Sequence, residues 1–365
     1  MSRRSLKAVS LLLAAVACLL TAPAGADTIT YDMVTVGNPG NANDTGGTNN
    51  GAVAYSYQIG RYDVTIGQYT AFLNAADPNG TNPNGIYNSS METDLNVAGI
   101  SYTSGASAGA KYSVIGPSGT AYGQTGANRP ITYVSWFDAA RFANWMTNGQ
   151  GAGSTETGAY DLVTATPGEA PAKTPGAAFY IPTNDEWYKA AYYSPTKGGT
   201  GGYYTYATQS DSAPGNTIFD PAPQANYKVG GMYSVTQSSS YDSNQNYLTD
   251  VGAFSGSESF YGTFDQSGNV YQWNDLDGTA DSLRGLRGGD WYFIDQFSLS
   301  SSDGFLGDPS FEFNFIGFRL ASPASSPSSV PEIAPNSLGS VLALVMGSLG
   351  LLERRRLRQA ATLAA

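Results

Sequence analysis

The chain has 365 residues, enough for one large domain or two average ones, and combines 44 Gly and 25 Tyr with only 13% charged residues, the balance of a loop-rich globular protein rather than a helix bundle. Its formal net charge is -11, yet three basic residues lie in the first seven positions and four at 354–358, so the stretch between them carries 11 Lys+Arg against 29 Asp+Glu, a net -18; so acidic a surface repels phosphate backbones and speaks against nucleic-acid partners. Histidine is absent and the single cysteine is Cys18, which excludes a disulfide, a His-ligated metal and a Ser–His–Asp triad.

Residues 1–26 carry Arg3, Arg4 and Lys7, the apolar run Leu11–Leu20, and then Ala22-Pro-Ala24-Gly-Ala26. That is the layout of a secretory signal peptide with its small-residue cleavage site after Ala26, so export across the inner membrane is expected. A single domain is expected over 27–321. It opens with two strands, Thr28–Val36 and Ala52–Ile59, read from apolar/polar alternation around a Gly/Asn-rich loop. A helix follows at Thr65–Ala76, with Ile66, Tyr69, Phe72 and Leu73 on one face. From Pro78 to Asn128 hardly any charge occurs, which reads as loops and short strands. Ser135-Trp-Phe-Asp138 starts a second helix running to about Thr147, with Trp136, Ala140, Ala143 and Met146 inward. Thr183-Asn-Asp-Glu186 is a capping box opening a helix over Glu186–Tyr193, and after it only short strands and turns are expected.

At the other end, 322–336 is a Ser/Pro linker containing Val330-Pro331-Glu332. The segment 337–365 holds the apolar stretch Leu338–Leu352 and an Arg cluster at 354–358. The stretch is shorter than the roughly 20 residues that cross a bilayer comfortably, so a transient stop or a thin-membrane anchor is expected, with the arginines kept on the cytoplasmic side. The arrangement resembles the PEP-CTERM sorting signal of Gram-negative exopolysaccharide producers, which implies processing by an exosortase and a cell-surface or extracellular location. Ile333 departs from that motif, which has a second proline there.

Five segments in order resemble the formylglycine-generating enzyme (sulfatase-modifying factor) family: Tyr57–Thr65, Arg129–Trp145, Ile181–Trp187, Tyr261–Trp273, and Leu286-Arg-Gly-Gly-Asp-Trp291 closing at Gly317-Phe-Arg-Leu320. The resemblance implies an α+β fold, a variant of the C-type-lectin fold with two or three helices, short antiparallel sheets and much loop. The five tryptophans, 136, 145, 187, 273 and 291, read first as core packing. The family's two copper-binding cysteines, which oxidise a substrate cysteine, correspond on alignment at Arg287-Gly-Gly to Phe293 and Ser298. Neither can act as a thiolate ligand for Cu(I), and a related nonheme-iron branch needs histidines. Neither copper nor iron is expected, and the expected protein is catalytically inactive in the family's chemistry.

Calcium is the cofactor that remains. The resemblance implies oxygen ligands around Gly268–Trp273, offered here by Asn269 and Gln272, and in an upstream loop by Asn226, Asp242, Asn244 and Asn246. The Asp242-x-Asn244-x-Asn246 spacing presents alternate oxygens to a hard cation, although the glycine and final Glu of an EF-hand are replaced by Tyr247 and Ala253. Two catalytic readings are weaker. Ser194-Pro-Thr-Lys197 matches a Ser-x-x-Lys pattern without its companions, and Asp275, Asp277 and Asp281 offer clustered carboxylates of unknown separation. The segment between Gly289 and Gly317 mixes aromatic and small polar residues in the manner of a recognition surface, with Asp290, Tyr292, Phe293, Asp295, Phe297 and Phe305 as its expected members. The expectation is an exported binding module for an extracellular polysaccharide or surface protein. The alternatives are an enzyme with reassigned chemistry on glycans and a structural matrix component.

Overall fold

A computed structural model describes residues 28–117, 119, 126–293 and 296–324. The signal segment, the linker from residue 325 on, Val330-Pro331-Glu332, Leu338–Leu352 and Asp295 lie outside the described residues. Among the described residues no helix is long and apolar enough to cross a membrane.

In chain order the elements are β1 (Met33–Val36), β2 (Tyr57–Gly60), α1 (Ile66–Ala76), α2 (Ser90–Thr93), β3 (Ile100–Tyr102), β4 (Tyr112–Val114), α3 (Trp136–Thr147), α4 (Asn184–Tyr192), β5 (Tyr193–Ser194), β6 (Gly202–Tyr203), β7 (Tyr271–Asn274), β8 (Arg284–Arg287), β9 (Phe305–Gly307), β10 (Ile316–Phe318) and β11 (Ala321–Pro323). The fold is α+β, loop-rich, with short sheets, as expected. One sheet has the order β1-β2-β11 and another β10-β7-β8-β9, in which β10 and β7 run parallel and the other pairs antiparallel.

Caps set the three longer helices. Thr65 and Gln68 form a reciprocal capping box at α1, Ser135 and Asp138 one at α3, and Thr183 and Glu186 one at α4, so the free amides of each first turn are satisfied locally. α4 starts two residues before the expected Glu186, because Thr183 is the N-cap itself and Asn184 already belongs to the first turn. The expected inner faces of α1 and α3 are buried. Tyr69 and Phe72 of α1 meet Phe142 of α3 at 6.0 and 5.4 Å, and Phe142 meets Phe318 of β10 at 5.4 Å. All five tryptophans are buried, in line with the core-packing reading.

The interior between the two larger sheets is closed by Arg319, which is fully buried. Its Nε donates to Gln272 Oε1 at 2.7 Å, one terminal nitrogen to the Gly60 and Arg61 carbonyls, and the other to Asp63 Oδ1 at 2.9 Å and the Phe264 carbonyl at 2.7 Å. Gln272 Oε1 also accepts from Trp187 Nε1 at 2.7 Å. Burial pushes the Asp63 carboxyl upward, against the pull of the guanidinium. Removing one member of a buried ion pair strands the other charge. Asp63→Ala is therefore expected to lower the unfolding free energy by about 3–5 kcal/mol in denaturant titrations. A loss under about 1 kcal/mol, the scale of an exposed pair, would contradict this role.

Candidate aromatic recognition site

The turn Gly288-Gly289 re-aims the chain after β8. Gly289 has φ +72°, and a Cβ there would stand 2.9 Å from both Leu299 Cδ1 and Ser298 Oγ, so only glycine lets the chain turn beneath the 3-10 turn Gln296–Leu299. Asp290 follows and is fully buried. Its Oδ1 accepts the amides of Tyr292 at 2.7 Å and Phe293 at 3.0 Å, fixing the direction in which Phe293 leaves the core.

Phe293 enters a cavity of about 380 Å³. Tyr271 of β7, Phe305 of β9 and Ile316 of β10 form one side, Phe297 and Ser298 of the 3-10 turn another, and Phe311, Phe313 and Phe315 a third, with Asp303 as the ionisable side chain of the wall. Tyr271 meets Phe305 edge-on at 4.9 Å, and Phe313 stacks on Phe315 at 5.3 Å with an 8° interplanar angle. Phe293, Phe297, Phe305, Phe311 and Phe313 are each 40–51% exposed. Leaving so much hydrocarbon in water forgoes up to about 1.5–3 kcal/mol per ring that full burial would supply, and contiguous exposure of this kind marks interaction sites. Arg287 steadies the wall from behind, binding Asn184 Oδ1, the Asp303 carbonyl and Thr48 Oγ1.

The third wall is a thin partition. Residues 308–315 are laced to the domain by their carbonyls, with Pro309 accepting from the Trp136 amide, Phe313 from Tyr133 and Phe315 from Tyr271. Ser310 and Glu312 face a second cavity of about 420 Å³, lined also by Asn84, Asp138, Arg141 and Phe137, while the odd-numbered phenylalanines face the first. The period of two in Phe311-Glu-Phe-Asn-Phe315 thus separates an aromatic cavity from a polar cleft.

Of the residues expected on the recognition surface, Phe293, Phe297 and Phe305, and with them Phe311 and Phe313 of the same aromatic run, are brought together in the aromatic cavity. Tyr292 is exposed outside its lining, its ring 4.1 Å from Lys228 Nζ, which lies 4.2 Å from Tyr233 on its other side. Asp290 is a correction: it is buried and closes a turn rather than facing a ligand. Asp295 lies outside the described residues. Tyr271, Asp303, Phe315 and Ile316 were not expected; only Phe315 had a visible signal, the alternation itself. Phe293 and Ser298, the positions expected from the resemblance to match the copper-binding cysteines, both line the aromatic cavity.

Several of the oxygens expected for calcium already accept hydrogen bonds within the protein. Asn269 Oδ1 accepts from Asn226 Nδ2 at 2.9 Å and the Thr249 amide at 3.2 Å. Gln272 Oε1 accepts from Trp187 and Arg319, so both of its lone pairs are committed. Asn246 is buried, with Oδ1 on the Leu248 amide, and Asp242 Oδ1 takes the Asn244 amide in an exposed turn. Among the described residues there is no group of three or more His, Cys, Asp or Glu side chains placed to hold a metal. The catalytic alternatives separate. Asp275 is buried against Arg284 at 2.9 Å, whereas Asp277 and Asp281 are exposed; Ser194 Oγ faces Thr196, and Lys197 Nζ is held by Asp211.

Two outcomes follow from these environments. Chelator is expected to leave the thermal midpoint unchanged; a clear drop reversed by calcium would show that another oxygen set binds it. Burial raises the Asp290 carboxyl to about 7, with its two amide bonds and Lys228 pulling the other way, and its Oδ2 has no hydrogen-bond partner among the described residues. The folded state then holds a proton that the unfolded state releases near pH 4, so this contribution is present in acid and is lost as pH rises through about 7. Asp290→Asn should flatten the fall in melting temperature between pH 5 and 8 (an unchanged slope would contradict it).

The sequence matches the sulfatase-modifying factor enzyme 1-like domain over residues 26–324, and no curated protein matches it. Among solved structures, Treponema denticola variable protein 1 is 18% identical with a TM-score of 0.48, the alignment covering 83% of this chain and 100% of that one. CarF is 20% identical at TM-score 0.43, covering 81% and 99%. PvdO from Pseudomonas aeruginosa is 18% identical at TM-score 0.40, covering 80% and 94%. The chain belongs to the sulfatase-modifying factor enzyme 1-like domain family.

Proposed function

We propose that this is an exported, surface-associated member of the family that binds rather than oxidises, with the aromatic cavity as its recognition site. The observation that carries the reading is the identity of two lining residues. Phe293 and Ser298 stand where the resemblance puts a pair of copper-binding thiolates, and four further half-exposed phenylalanines surround them. Without sulfur the cavity cannot hold Cu(I) in the family's manner; with aromatic walls it can desolvate and hold an apolar group. The N-terminal segment supplies export, and the Val330-Pro331-Glu332 tail supplies surface sorting by an exosortase.

A glycan ligand is the second reading, and the polar cleft beyond the partition favours it. Phe137 there offers an apolar face, while Asn84, Arg141 and Glu312 offer hydrogen-bonding groups. Arg141 is pre-set by its fork on Glu156 at 2.9 and 3.1 Å. Retention of the full protein on polysaccharide shed by the producing cells, lost in Glu312→Gln, would place the working site in the cleft.

The primary reading is tested with a neutral aromatic probe, N-phenyl-1-naphthylamine, whose fluorescence rises on transfer out of water. One saturable site is expected, weakened about tenfold by Phe297→Ala or by Phe305→Ala with little change in melting temperature. Equal affinity in both variants would remove the cavity from the account. Incubated with copper and a cysteine-containing peptide, the protein is expected to form no aldehyde, and aldehyde formation would overturn the loss of family chemistry.

A further inference from the structure

We infer that the occupant of the aromatic cavity is an aromatic or large aliphatic side chain carried on a basic stretch of polypeptide. This rests on the reading of the cavity as the recognition site and goes on to name the ligand class.

The wall chemistry decides between sugar and side chain. The lining presents ring faces and edges from β7, β9, the 3-10 turn and the partition, with the Ser298 hydroxyl and the Asp303 carboxylate as its polar side-chain groups besides the Tyr271 phenol. A saccharide entering it would exchange water for hydrocarbon around several hydroxyls, and each one left unpaired costs about 1–3 kcal/mol. An aromatic side chain has no such penalty. It buries its area against rings already spaced 4.9–6.4 Å apart, the range in which further edge-to-face and offset contacts form. A volume of about 380 Å³ lies at the low end for small-ligand pockets, which suits one or two side chains better than a folded surface.

Charge specifies the flanks. No Lys or Arg lines the cavity, whereas Asp303 does, and the partition carries exposed Asp308 at its start. The ammonium of Lys228 is engaged by the Tyr233 and Tyr292 rings, 4.2 and 4.1 Å from their centroids. The stretch of chain between the basic ends carries a net -18. A segment with Lys or Arg beside the inserted residue is therefore drawn in, and one with Glu or Asp is repelled.

The test uses the full-length protein and three labelled twelve-residue peptides that differ in single features: Trp flanked by lysines, Trp flanked by glutamates, and Ser flanked by lysines. Fluorescence anisotropy is expected to give saturable binding of the first. The second should bind about tenfold more weakly at low salt, with the gap closing at high salt as screening shortens, and the third should not bind measurably. Phe297→Ala and Phe311→Ala, from separate wall segments, should each weaken the first peptide, while Phe260→Ala, exposed outside the cavity, should not. Equal binding of the Trp and Ser peptides would overturn the apolar occupant, and equal binding of the lysine and glutamate peptides would overturn the basic flanks. If no peptide binds while the neutral probe still does, the ligand class is wrong and the cavity reading stands; if neither binds, the cavity reading fails as well.

Discussion

Every N–H of the Arg319 guanidinium meets an acceptor inside the protein, and those acceptors come from three separate parts of the chain. The Gly60 and Arg61 carbonyls and Asp63 belong to the end of β2 and the turn before α1, the Phe264 carbonyl to a loop, and Gln272 to β7. A guanidinium has five donors in a fixed plane, so satisfying all of them sets the angle and spacing of whatever supplies the acceptors. With so little regular structure, that constraint does what long helices or wide sheets do elsewhere. Asp63 supplies the acidic partner, and Gln272 supplies a neutral oxygen shared with Trp187.

Once β7 and β10 are pinned at that end, their other residues have fixed directions. Tyr271 and Ile316 are partners in the parallel register, and both face the aromatic cavity. The partition 308–315, tied down at the Pro309, Phe313 and Phe315 carbonyls, then stands between an aromatic and a polar space, and alternation along 310–313 and 315 assigns those side chains to one or the other. A frame of this kind tolerates exchange of the cavity walls, because little of the frame's own bonding runs through them. Phe297, Phe305, Phe311 and Phe313 contribute rings to the surface and take no part in the Arg319 network.

The helices were legible because their signals are local. Ser135 with Asp138 and Thr183 with Glu186 sit three residues apart, and the apolar faces of α1 and α3 recur at helical spacing, so a short window contains the whole message. The strands were legible in place but not in extent. Thr28–Val36 alternates over nine residues, yet only Met33–Val36 pairs, because β2 offers four residues of partner. The aromatic character of the 289–317 segment was visible; its sorting into walls, turn and core was not. Asp290 reads as a surface residue among aromatics, but its partners are the amides two and three residues on, and the turn they make carries it inward. Gln272 and Asn269 read as cation ligands because their donors, Trp187, Arg319, Asn226 and Thr249, are 20 to 85 residues away. No window of sequence contains both ends of such a bond.

The central claim is that the cavity holding Phe293 and Ser298 is where this protein meets its partner. It is tested most directly by replacing Phe297 with the photoreactive p-benzoyl-phenylalanine in the producing cells, with the same replacement at Phe260 as the reference. On illumination the account predicts a discrete covalent adduct with a polypeptide from position 297 and none from position 260. Adducts of the same kind from both positions, or no adduct from 297 in cells that expose the protein at their surface, would contradict it.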